Sequence, residues 1–189
     1  VGIVVPFIIF FFKFNKLKSS RTLESGFSRE GAFLANNLLL LAIAFITLWG
    51  VVYPLISELF TGFTITVGEP FYNQVNGPLM LGLVFLMGVG PMLPWRQASW
   101  SNVRRNLMVP ILLSSVVVII LISVQVDDLL AVIAFGLFTM VTTGIVMEWV
   151  RGTRSRQRRG HSVIVSFMTL IASNRPRYGG YIVHLAVVV

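Results

Sequence analysis

Long apolar runs broken by short polar clusters dominate this sequence. The runs show neither the strict alternation of a half-buried strand nor the narrow stripe of a surface helix. A helix needs about 20 apolar residues to cross about 30 Å of hydrocarbon. By that measure the pattern predicts spans over about 32–56, 76–94, 107–126 and 128–149. The apolar stretches at about 1–12 and 179–189 read as two further spans, each cut short. The expected fold is all-α, a polytopic transmembrane helix bundle forming a single domain over 1–189. The opening "VGIVVPFIIFFF" carries neither a basic leader nor a small-residue cleavage site, so it reads as the second half of a span and not as a signal peptide. Both ends read as cut within helices, and the chain is expected to be an internal fragment of a larger polytopic protein.

Local signals refine these elements. Ser28 is a suitable N-cap for the second span, and Glu30 sits where the helix dipole favours an acid. Asn76 is expected to cap the third span, with Gly77 and Pro78 following it. Pro91 should kink that span and Pro94 end it. In the connector 57–75, "TITV" has strand-like character. The stretch "HSVIVSFMTLIAS", 161–173, is too short to cross. Its Ser162, Ser166, Thr169 and Ser173 fall at helical spacing, which predicts an interfacial helix whose polar stripe faces water or a neighbour.

Composition agrees with the pattern. Residues are 56% hydrophobic and 12% charged, and the mean hydropathy is +0.84. A soluble domain carries about twice that charge. The net charge of +8 suggests a nucleic-acid partner until the charges are mapped. All 15 basic residues then fall in 13–31, 95–106 and 150–178, and none in 57–75 or at the Asp127-Asp128 turn. That alternation is a topology signal. It places the basic loops in the cytoplasm and 57–75 on the far side. Binding of anionic lipid headgroups is a by-product, and no nucleic-acid partner is expected. Trp49, Trp95, Trp100 and Trp149 lie near span ends, as interfacial aromatics do. With no cysteine there is no disulfide, thiol nucleophile or thiolate metal site.

His184 is the leading candidate for chemistry, because an ionisable residue within a membrane run is a functional hypothesis by default. It reads as a neutral histidine bonded to a neighbouring helix, a haem ligand or a proton relay. Gly179 and Gly180 would admit a flat ligand or a helix beside it. Arg175 and Arg177, about two turns earlier, serve as surface anchors or reach the propionates of a haem held there. His161 reads as a surface residue. Asn36 and Asn37, inside the second span, need interhelical hydrogen bonds or a buried cofactor or quinone. Glu148 is expected to pair with Arg151 or Arg104. "GVGP" at 88–91 lacks the context of a dinucleotide fingerprint. A secondary transporter or permease, and a structural membrane subunit without a cofactor, both remain open at this level.

Four stretches in order carry a resemblance: "ESGFSREGAFLANNLLLLAIAFITLWGVVYPL" (24–55), "VGEPFYNQV" (67–75), "MGVGPMLPWR" (87–96) and "RYGGYIVHLAVVV" (177–189). Together they resemble the later membrane segments of the CcmF-type cytochrome c haem lyases. The resemblance implies a multi-pass protein of the bacterial inner membrane that takes haem from a CcmE-type chaperone. It implies that haem is joined to the CxxCH motif of an apocytochrome c presented by CcmH- and CcmI-type proteins. It also implies a haem b held between two histidines and reduced by quinol. His184 matches the second of those ligands, with Arg177 and Arg175 as candidate propionate contacts. The tryptophan-rich haem-binding motif and the other axial histidine would lie upstream of Val1, so this stretch alone should be inactive. A paralogue serving a nitrite reductase would look the same.

Overall fold

A computed structural model describes residues 4–17, 28–93, 100–158, 160 and 162–189. They form seven α-helices: α1 (Val4–Leu17), α2 (Arg29–Thr61), α3 (Glu69–Val89), α4 (Trp100–Ser123), α5 (Leu129–Gln157), α6 (Val163–Ser173) and α7 (Arg175–Val188). No strand occurs among the described residues, and the "TITV" segment is irregular coil. An isolated extended segment has no neighbour to bond, so its β-propensity goes unused. Four helices are long and apolar enough to cross a membrane: α2, α3 with the turn that follows it, α4 and α5.

The caps show why the helices begin and end where they do. The Ser28 hydroxyl accepts from the Gly31 N–H, as the sequence predicts, and Glu30 occupies the first turn. At the other end Gly62, at φ 71°, closes α2 in the left-handed region and donates to the Glu58 carbonyl. α3 corrects the expected start at Asn76. It begins at Glu69, with Gly68 as cap and Pro70 in the first turn. Asn76 is interior and donates across the helix interface to Thr47 Oγ1 at 3.3 Å. Near Pro91, α3 tightens into a 3₁₀ turn over Gly90–Met92. The expected stop at Pro94 lies outside the described residues, as do the side chains of Trp95, Arg96 and Trp100.

Helix α5 is the hub, packing against α3, α4, α6 and α7. Small residues let these helices approach closely, the usual device where lipid removes the hydrophobic drive for association. At Gly136 the α4–α5 seam is tight enough for Ser114 Oγ to donate to the glycine carbonyl at 2.7 Å. A Cβ there would lie 2.7 Å from Val118 Cγ2. Val141 and Ile145 of α5 form the core with Leu170 of α6 and Tyr178 and Tyr181 of α7.

The segment 150–178 is more helical than a loop. α5 runs on through Arg151, Arg154 and Arg156, and α7 already begins at Arg175, not at 179. A helix leaving the bilayer keeps its backbone bonds, so charge alone does not end it. α6 forms as expected, with Ser162 as its N-cap. Of its polar stripe only Ser166 is buried against the bundle; Ser162, Thr169 and Ser173 are exposed, and Ser173 Oγ accepts from Arg156 Nη2. Val163, Ile164 and Met168 are exposed as well.

Candidate functional site: a cleft lined by His184

α7 docks on α5 and α6, and its other face borders a cleft of about 500 Å³ shared with α2 and α3. Each helix contributes residues at i, i+4, i+7 spacing, which share one face. Helix α2 gives Arg29, Phe33 and Asn36; α3 gives Met80, Val84 and Met87; α7 gives Arg177, Tyr181 and His184.

Charge is concentrated at one end. Arg29 Nη2 donates to the Pro91 carbonyl at 2.7 Å, which ties the start of α2 to the 3₁₀ turn. Arg177 Nη2 pairs with Glu148 Oε1 at 3.1 Å, and its Nε donates to the Tyr181 hydroxyl at 3.2 Å. The guanidinium carbon also lies 5.9 and 5.8 Å from the ring centroids of Tyr178 and Tyr181. Glu148 thus pairs with Arg177, not with Arg151 or Arg104; Arg151 donates to Asn106 Oδ1 at 2.7 Å. The correction follows from α7 lying against α5, which brings residues 29 apart in sequence together.

His184 is half-buried and lies about 10 Å along α7 from Arg177. The cleft therefore presents two guanidinium groups at one end and an imidazole and the Asn36 carboxamide further in, between largely apolar walls. Arg175 is exposed and does not line it; nor does the exposed Asn37. His161 lies outside the described residues. The space beside Gly179 and Gly180 is open: a Cβ at either would meet nothing within 4 Å.

No group of three or more His, Cys, Asp or Glu side chains suited to a metal ion occurs among the described residues. His184 could bind a metal only if most ligands came with it. A metalloporphyrin meets that condition, since its ring supplies the equatorial nitrogens and the protein only the axial ones. The cleft fits such a group. Its volume is in the range of cofactor sites, its walls are apolar, and its two arginines suit carboxylates at one ring edge.

Arg29, Met80, Met87 and Tyr181 are cleft residues that sequence reasoning did not single out. The available signal for Arg29 was its i, i+4, i+7 register with Phe33 and Asn36.

Spanning helices around an intramembrane cleft with a titratable ring define a multi-pass membrane protein with a candidate cofactor site. No family model matches the chain. It is 34% identical over 169 residues to the cytochrome c-type biogenesis protein ccl1 of Rhodobacter capsulatus, covering 83% of this chain and 26% of that protein. It is 37% identical to the cytochrome c-type biogenesis protein CycK of Bradyrhizobium diazoefficiens, covering 67% of this chain and 19% of that one. With CcmF of Escherichia coli it shares 28% identity over 82% of this chain and 24% of the relative. A solved structure of the cytochrome c heme lyase CcmF matches 87% of this chain and 25% of its own, with a TM-score of 0.56 and 32% identity. The chain belongs to the CcmF-type cytochrome c biogenesis proteins and spans about a quarter of the length of ccl1 and of CcmF.

Proposed function

We propose that this chain forms one side of a haem b site in a CcmF-type cytochrome c haem lyase, with His184 as an axial ligand. The supporting observation is the cleft, in which the His184 imidazole and the Arg29 and Arg177 guanidinium groups border one largely apolar space. A neutral His184 ring would offer one nitrogen to the iron and keep the other to donate a hydrogen bond. Arg177, oriented by Glu148 and Tyr181, stands with Arg29 where ring carboxylates need counter-charges. The apolar walls exclude water and hold the ring plane. Haem held by these residues would supply one-electron chemistry, with quinol as its electron donor. A second axial histidine would come from the part of its relatives' length that this chain does not span. Haem arrives through a CcmE-type chaperone and is joined to a CxxCH motif held by CcmH- and CcmI-type partners. The protein sits in the bacterial inner membrane with its basic segments cytoplasmic, following their alternation along the chain.

The test uses the full-length protein purified from membranes, with and without His184→Ala. The substitution should strip most of the haem b or convert its spectrum to a high-spin form. Unchanged haem content and an unchanged reduced spectrum would remove His184 from the site.

A further inference from the structure

Tyr181 stands where the core meets the cleft. It is 4% exposed and packs with Val141, Ile145, Leu170 and Tyr178. Of these core residues it alone also lines the cleft. Its hydroxyl accepts from Arg177 Nε at 3.2 Å, one turn back along α7. The same guanidinium donates from Nη2 to Glu148 Oε1 at 3.1 Å. Two bonds from separate nitrogens of a planar group fix its position and restrict its tilt. The Nη1 donors have no partner among the described residues, and Arg177 itself lines the cleft.

Glu148 alone would not hold this charge in place. Both partners of the ion pair keep part of their surface in contact with solvent, and such a pair is weak against the rotamer entropy of a long side chain. Tyr181 adds an acceptor on a ring that close packing keeps from moving. The neighbouring Tyr178 shows how specific that bond is. Its ring lies as close, 5.9 Å from the guanidinium carbon against 5.8 Å for Tyr181, and the two rings meet edge-on. The Tyr178 hydroxyl faces α5, where a Cβ on Gly152 would lie 3.3 Å from it. Both rings pack against the charge, but among the described residues it is the Tyr181 hydroxyl that bonds it.

A positive charge fixed beside a redox group favours the form that carries one more electron. We propose that Tyr181 is a positioning residue: its hydroxyl holds the Arg177 guanidinium against the cleft and so raises the reduction potential of haem bound there. The inference rests on the reading of His184 as an axial ligand. Arg177 supplies the charge, and Tyr181 carries the rigidity of the α5–α7 core to it. The phenol needs no contact with the haem, so its effect passes wholly through Arg177.

The test is a spectroelectrochemical titration of the full-length protein with its haem. Arg177→Gln should lower the ferrous-to-ferric ratio at a fixed potential about tenfold, a shift of about 59 mV for one electron. Tyr181→Phe, which keeps the ring and removes the hydroxyl, should lower it about threefold, or about 28 mV. Added to Arg177→Gln, Tyr181→Phe should cause no further shift, since the two act as one unit. Tyr178→Phe should leave the potential unaltered, and every variant should keep the low-spin spectrum. The proposal is overturned if Tyr181→Phe leaves the potential unchanged, if its shift persists in the Arg177→Gln background, if Tyr178→Phe shifts the potential as far, or if Tyr181→Phe abolishes the low-spin spectrum. Each of these results leaves the axial reading intact as long as His184→Ala still strips or converts the haem. Haem content and spectrum unaltered by His184→Ala would overturn that reading and this inference together.

Discussion

Three glycines along α3 give a graded test of how closely this bundle packs. A Cβ at Gly77 would meet Leu130 Cδ1 at 3.6 Å, an ordinary contact. At Gly82 it would meet Leu39 Cδ1 at 3.2 Å, the free end of a flexible side chain. At Gly88 it would lie 2.8 Å from Met140 Cε and 3.1 Å from Val141 Cγ2. Met140 and Val141 are 5% and 1% exposed, and Val141 is β-branched, so neither has room to yield. Gly82→Ala and Gly88→Ala gain the same helix propensity, about 1 kcal/mol. That term cancels between them and leaves packing to decide. Gly77→Ala forgoes the gain, because Gly77 precedes Pro78 and a Cβ there presses on the proline ring; it should not stabilise although the space beside it is open. Gly82→Ala should be close to neutral. Gly88→Ala incurs an overpacking cost of about 1–3 kcal/mol, so it should fall below Gly82→Ala by up to about 2 kcal/mol. The assay is reversible unfolding of the full-length protein in mixed micelles, read by far-UV circular dichroism. A Gly88→Ala protein as stable as Gly82→Ala would refute the α3–α5 seam and, with it, the placement of the α3 wall of the cleft.

Further outcomes follow from single side chains. Ser166→Ala removes a fully buried hydroxyl with no partner among the described residues, so stability should hold or rise by up to about 1 kcal/mol; a clear loss in the same unfolding assay would show that the hydroxyl is bonded. Glu148→Gln breaks a half-exposed ion pair and should cost less than about 1 kcal/mol. It should nonetheless raise the haem midpoint potential in a spectroelectrochemical titration, because the Arg177 charge is left uncompensated at the cleft; an unchanged potential would count against Arg177 at the haem edge. Met80→Leu and Met87→Leu should preserve the low-spin haem spectrum if both axial ligands are histidines, whereas loss of low-spin character in either would make that thioether a ligand.

The helical spans were legible because hydrophobic run length is a strong signal, and Ser28 was legible because capping is local. Asn76 misled for the same reason. It looks like a cap, and only the neighbouring Thr47 of α2 shows that it is an interior residue with an interhelical partner. The ends of α5 and α7 were missed because arginines mark where a helix meets water and not where it stops. His184 and Arg177 could be chosen from sequence, since a ring in an apolar run and a charge two turns before it stand out. Arg29 was passed over, because it sits among other basic residues of 13–31 and its register with Phe33 and Asn36 gains meaning only when α2 and α7 face one cleft. The Glu148–Arg177 pair depends on helices meeting at a distance of 29 residues, which no local pattern encodes.

Chemical rescue puts the central claim to its most direct test. The full-length protein carrying His184→Gly is purified, and its haem spectrum is recorded before and after addition of free imidazole. If the ring of His184 holds the iron, the substituted protein loses its low-spin spectrum and imidazole restores it. A spectrum that is unaltered by the substitution, or lost without recovery when imidazole is supplied, would contradict the account.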